Sequence, residues 1–269
     1  MRTKHGNSLI GQSNHWVARA MITLAIALVA QHLAAQPAPV SRVLFVGNSY
    51  LYYNDSLHNH VKRMAMERFA MGSGDFQYKS STIGGARLKH HNIDWLLKPG
   101  QIGVERPFQV VIMQGGSAEP LSEQARREFV DTAVLFSTKI RQKGGKPMLY
   151  MTHAYVQPHR RADKSMIKKI SSAYRVAAKA ADAEMIPVGL AYERSYRERP
   201  DFLLHADFDG THPNLRGTYL GAYLVFLSLY GVEPRQLRYD YYGRLPAAEV
   251  GYLQRIARET VAEFSDSQI

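Results

Sequence analysis

The 269-residue chain contains no cysteine. That absence excludes a disulfide framework, a thiolate nucleophile, a Cys-ligated zinc or iron–sulfur centre, and a lipid carried on sulfur. Stability has to come from a packed core, and any side-chain nucleophile has to be an oxygen. Long runs of like charge are missing too. The 34 Lys+Arg outnumber the 23 Asp+Glu, for a formal net charge of +11. The short basic groups Arg126-Arg127, Arg160-Arg161 and Lys168-Lys169 nevertheless lie apart, inside or beside stretches of helical periodicity where solvent-facing cations are ordinary. Aromatic residues do not interleave with them as a stacking platform would require, and no nucleic-acid motif is present, so nucleic acid is not an expected partner. With 45% hydrophobic residues the composition is that of a globular protein.

At the N-terminus, Arg2, Lys4 and Arg19 precede the apolar run Ala20–Ala30, which is followed by small residues to Ala35. Basic, then apolar, then small is the layout of a secretory signal peptide. The run falls short of the roughly 20 residues that a spanning helix needs, so cleavage near Ala35 is expected rather than a permanent membrane anchor. The expected organisation is a leader over 1–35 and a single domain over 36–269, secreted or periplasmic. Removing the leader takes three of the positive charges with it.

Along the remaining chain, β-rich apolar runs alternate with helical patterns. Strands are expected at Val43–Val46, Phe76–Ile83, Val110–Met113, Met148–Met151 and Met185–Val188. Helices are expected at Ser56–Ala70, Leu88–Leu97, Leu121–Lys143, Lys164–Ala183, Leu215–Tyr230 and Pro246–Phe264. This alternation implies an α/β fold with a parallel sheet covered on both faces. Ligands of such sheets sit beyond the carboxyl ends of the strands, which draws attention to Gly47-Asn48-Ser49-Tyr50, Gly84-Gly85, Gln114-Gly115-Gly116-Ser117 and Asp209-Gly210-Thr211-His212.

Ser49 follows a strongly apolar strand through a Gly-Asn turn, which suits a projecting hydroxyl but equally a helix cap. A serine hydroxyl is a weak nucleophile until an imidazole takes its proton. Asp209 three residues before His212 can hold one ring nitrogen and leave the other free, the orienting carboxylate and base that an activated serine needs. Asp207 competes for the carboxylate role. His58-x-His60 and His90-His91 lack a third ligand at matching spacing, so no metal site is expected. Tyr50, Tyr52 and Tyr53 are candidates for an aromatic wall beside the nucleophile.

These blocks resemble the SGNH hydrolases, the superfamily also called GDSL esterases or lipases. Val43–Tyr50 (VLFVGNSY) is similar to the strand and Gly-Asp/Asn-Ser of its first block, and Asp209–His212 to the Asp-x-x-His of its last. No G-x-S-x-G elbow of the α/β-hydrolases is present. The resemblance implies a three-layer α/β/α sandwich with a central, mostly parallel five-stranded, flavodoxin-like sheet. It implies Ser49, Asp209 and His212 as the catalytic residues, with an oxyanion hole from the amides of Ser49 and Gly85. The family's usual third block, Gly-x-Asn-Asp, is replaced by Met113–Pro120 (MQGGSAEP), similar to a branch with Gln-x-x-Ser-x-x-Pro; this makes Gln114 the expected side-chain donor and Ser117 the second candidate. Tyr50, Gly84, His91 and Ser117 are expected at the substrate.

The implied activity is a cofactor-independent serine ester hydrolase that removes an O-acyl group, acetyl first, from a carbohydrate or related small-molecule ester. The alternatives from the same residues are a non-catalytic carbohydrate-binding protein and an acyltransferase.

Overall fold

The structure is a computed structural model and describes residues 1, 38–231 and 237–266. Apart from Met1, the expected leader lies outside the described residues. The elements below belong to the unit Pro39–Ile269.

Five strands, β1 (Arg42–Gly47), β2 (Gln77–Thr82), β3 (Val110–Met113), β4 (Lys146–Tyr150) and β5 (Glu184–Ile186), form one sheet in the order β2-β1-β3-β4-β5. Every neighbouring pair is parallel. The strand side chains alternate between two separate cores, as a period of two demands. Val43, Phe45, Ile112 and Tyr150 point to one face, against α2 (Leu57–Phe69), α6 (Val188–Glu198), α7 (Leu215–Tyr230) and α8 (Ala247–Asp266). Leu44, Val46, Val111, Met113 and Leu149 point to the other, against α3 (Ile93–Leu96), α4 (Glu123–Gln142) and α5 (Met166–Ala181). A four-residue helix, α1 (Ser49–Tyr52), follows β1 directly. The result is a three-layer α/β/α sandwich.

Two expected elements are corrected. The strand expected at Met185–Val188 ends at Ile186, and Val188 opens α6, because Pro187 interrupts the ladder and Val188, Ala191, Tyr192 and Ser195 form a buried stripe at helical spacing. The helix expected at Leu88–Leu97 is a 3₁₀ turn at Leu88–His90 followed by α3, which starts afresh where the Asn92 side chain accepts the Trp95 N–H at 3.1 Å.

The strand order places a topological switch between β1 and β3: the chain leaves β1 toward one edge and β3 toward the other, opening a crevice at their carboxyl ends. Gly47 sits at that point because the β1 and β3 loops pack too closely for a side chain. A Cβ there would lie 2.5 Å from Gln114 Oε1 and 2.7 Å from Leu51 Cδ1. On the far side of the crevice, α7 is buried along most of its length between α2 and α8, a rigid anchor for the loop that precedes it.

Candidate active site

Ser49 is the first residue of α1. Asn48 caps this helix, its Oδ1 accepting the Tyr50 N–H at 3.1 Å, while its Nδ2 donates to Ala86 O at 3.1 Å and ties the turn to the loop after β2. The Asn48 N–H donates to Gln114 Oε1 at 3.0 Å and ties the same turn to the loop after β3. Three loops are thereby fixed around Ser49, a residue that is 8% exposed.

His212 is delivered by the loop before α7. That loop is closed by the Ala206 N–H on His212 O (2.7 Å), the Asn214 N–H on Leu204 O (2.9 Å), and the Asn214 side chain, which caps α7 through Gly217 N and donates to Leu203 and His205 carbonyls. Ser49 Oγ lies 2.8 Å from His212 Nε2, and His212 Nδ1 lies 2.5 Å from Asp209 Oδ2. An ionised carboxylate only accepts, so Nδ1 carries the hydrogen and Nε2 presents its lone pair to the Ser49 hydroxyl. The second carboxylate oxygen, Oδ1, accepts the N–H groups of Thr211 (2.9 Å) and His212 (3.1 Å). Partial burial works to raise the Asp209 carboxyl, but the bonds from the His212 ring and the two amides outweigh it and hold it below the ordinary range. Asp207, the competing carboxylate, is exposed and does not contact His212. The Tyr53 ring stacks on the imidazole at 4.2 Å and 10°, covering one face of it.

The other expected site residues divide into two groups. Gly84 and Gly85 are exposed at the mouth, and Gly85 has φ +68°, the left-handed region that glycine occupies without penalty. Neither the Ser49 nor the Gly85 amide donates to a protein acceptor among the described residues. Gln114, in contrast, is fully buried. Its Oε1 takes the Asn48 N–H and its Nε2 donates to Gly115 O, which fixes the orientation of the amide, since a flipped side chain would face donor to donor and acceptor to acceptor. The side chain is a strut between two loops and has no exposed surface. Tyr50 is also buried: its hydroxyl meets Thr211 Oγ1 at 2.6 Å and its ring stacks on His153 at 4.3 Å. Ser117 is half-buried and accepts from Tyr155 Oη at 2.9 Å. His91 is buried beside Gly47, with Nε2 unpartnered; burial lowers its pKa, the Gly47 carbonyl acting in the opposite sense. Among the described residues no group of three or more His, Cys, Asp or Glu could hold a metal ion, and His60 is occupied by Asn54 O (2.6 Å) and Tyr239 Oη (2.9 Å).

Sequence reasoning passed over His153, which backs the site from the end of β4, and Asn54, whose Nδ2 donates to Pro213 O at 2.9 Å and Thr218 Oγ1 at 2.8 Å. These contacts join segments some 60 to 160 residues apart, and no local spacing encodes them.

No family model matches the sequence, and no curated protein does. Solved structures do match. A DUF4886 family protein from Bacteroides uniformis superposes with TM-score 0.62 over 82% of this chain and 95% of its own, at 16% identity. A candidate SGNH hydrolase from Slackia heliotrinireducens gives 0.55 over 70% and 97%, at 18% identity. A variant of an acetyl-xylooligosaccharide esterase from Geobacillus gives 0.54 over 75% and 100%, at 14% identity. At these identities the likeness is one of fold, and it is unambiguous on that level: the chain has the fold of the SGNH hydrolases.

Proposed function

We propose that the protein is an exported serine ester hydrolase of the SGNH type that removes an O-acetyl or similar acyl group from a carbohydrate. The observation that carries the reading is the continuous chain Asp209–His212–Ser49, with hydrogen bonds of 2.5 and 2.8 Å and one self-consistent assignment of protons. In this reading Ser49 Oγ attacks the ester carbonyl as its proton passes to His212 Nε2. The imidazolium formed is stabilised by Asp209, and the same proton then goes to the leaving alkoxide. Water repeats the sequence on the acyl-enzyme and releases the acid.

The free amides of Ser49 and Gly85 supply the oxyanion hole, each such donor being worth about 3 kcal/mol in the transition state. Gln114 contributes by fixing the Ser49 turn rather than by reaching the oxyanion. Gly84, Ser117 and His91 border the acyl pocket. The fold neighbour that is an acetyl-xylooligosaccharide esterase supports the choice of ester and alcohol, and the basic-apolar-small N-terminus supports export. Among the described residues no helix is long and apolar enough to cross a membrane. The test is hydrolysis of p-nitrophenyl acetate and acetylated sugars by the wild type and by Ser49→Ala. Loss of turnover in the variant is expected, and equal activity in the two would refute the assignment.

A further inference from the structure

We propose that His153 is a positioning residue for the catalytic base, acting through Thr211. The proposal rests on the reading of Ser49 and His212 as nucleophile and base. Thr211, the residue before His212, is held from two sides. Its carbonyl accepts from His153 Nε2 at 2.8 Å, and its Oγ1 meets the hydroxyl of Tyr50, the residue after Ser49, at 2.6 Å. The two gripping rings are themselves stacked at 4.3 Å and 17°, and His153 is backed on its other face by Tyr192 at 4.4 Å and 4°. The neighbours of the two reacting residues are thus bonded to each other and to one buried imidazole, which sits in an aromatic sandwich that leaves the ring no freedom to tilt. Tyr50 also sets its edge against the His212 ring at 5.9 Å and 84°.

The proton inventory agrees. A carbonyl accepts only, so Nε2 bears the hydrogen, and Nδ1 is buried without a partner. The ring is therefore neutral, and burial first, then the neighbouring His205, keeps it so against the opposite pull of the Thr211 carbonyl, with smaller effects from His212, which lowers its pKa, and Asp209, which raises it. A neutral imidazole here adds no positive charge to compete with His212 for the Asp209 carboxylate. What it adds is a fixed distance. Displacements of about 1 Å in such a constellation cost on the order of 10²-fold in rate.

The experiment separates the hydrogen bond from the packing. His153→Phe keeps a flat ring between Tyr50 and Tyr192 but removes the donor, whereas His153→Gln restores an N–H near the position of Nε2. With p-nitrophenyl acetate, His153→Phe is expected to lower kcat by 10- to 100-fold with KM within about twofold of the wild type. Labelling of Ser49 by a fluorophosphonate should slow in parallel, and His153→Gln should recover most of both. Tyr50→Phe, which deletes a single hydroxyl, should reproduce part of the loss and combine with His153→Phe less than additively, since both act on Thr211. If His153→Phe proves unstable at the assay temperature, Tyr50→Phe and His153→Gln carry the test. A kcat within twofold of wild type in His153→Phe, or a loss that His153→Gln shares in full, overturns the proposal. A wild type that neither turns over ester nor labels at Ser49 overturns the underlying reading instead.

Discussion

Replacing Asp209 by Asn tests the proton assignment at the heart of the site. The side chains are the same size, and the Asn carbonyl can keep accepting the N–H groups of Thr211 and His212 that Oδ1 now holds at 2.9 and 3.1 Å, so the loop should survive. The group facing His212 Nδ1 then becomes an NH₂. Two donors cannot share a contact that is now 2.5 Å, so Nδ1 must give up its hydrogen and accept, and the proton moves to Nε2. A protonated Nε2 cannot take the proton of Ser49. At neutral pH kcat should fall by about 10³- to 10⁴-fold, or roughly 4 to 5.5 kcal/mol at 1.36 kcal/mol per decade, with the fold retained. Steady-state hydrolysis of p-nitrophenyl acetate, with circular dichroism and a melting curve as controls, measures it. A folded Asp209→Asn variant with kcat within tenfold of wild type would refute the reasoning.

Three further outcomes follow from the packing and electrostatics. Gly47→Ala forces a Cβ to within 2.5 Å of Gln114 Oε1 and 2.7 Å of Leu51 Cδ1, so it should cost about 1–3 kcal/mol in urea unfolding and disturb the Ser49 turn; an unchanged midpoint would contradict the close approach. Gln114→Leu leaves the buried Asn48 N–H and Gly115 carbonyl without their partners, which should cost about 1–3 kcal/mol for each orphaned group and lower kcat with it; a variant as stable as wild type would show that the strut is dispensable. Acid should also weaken the fold. Burial pushes His205 down to about 4 from an ordinary value of 6.5, so as pH falls the unfolded chain takes up this proton first: the stability is fully present above about 6.5 and is lost progressively toward 4. That one group accounts for about 2 kcal/mol between neutral pH and pH 5, and His58, also near 4, and His60, His91 and His153, all lowered, act with the same sign. Denaturation at pH 7 and 5 with equal midpoints would contradict it.

What was legible in the sequence is what local spacing encodes. The alternation of strands and helices gives the parallel sheet, and Asp209 and His212, three residues apart, form their bond within a single turn of chain. The residues around Ser49 were harder. Tyr50 reads as a candidate for the pocket wall, but its partners Thr211 and His153 lie beyond any window of periodicity, and only the closed structure shows the ring turned inward. Gln114 occupies the place of a side-chain donor in the resemblance, yet its burial depends on how tightly β1 and β3 approach at Gly47, a distance that no motif records. The helix after β5 has only three apolar residues in its buried stripe, Val188, Ala191 and Tyr192, before Ser195, so its periodicity is weak beside the apolar strand it follows.

The central claim is that Ser49 is an activated nucleophile. Incubation of the protein with a fluorophosphonate probe, followed by peptide mass mapping, measures this directly. The account predicts stoichiometric covalent labelling at Ser49, abolished in Ser49→Ala and strongly slowed in Asp209→Asn. Absence of labelling under conditions that modify a control esterase, or labelling that persists in Ser49→Ala, would contradict it.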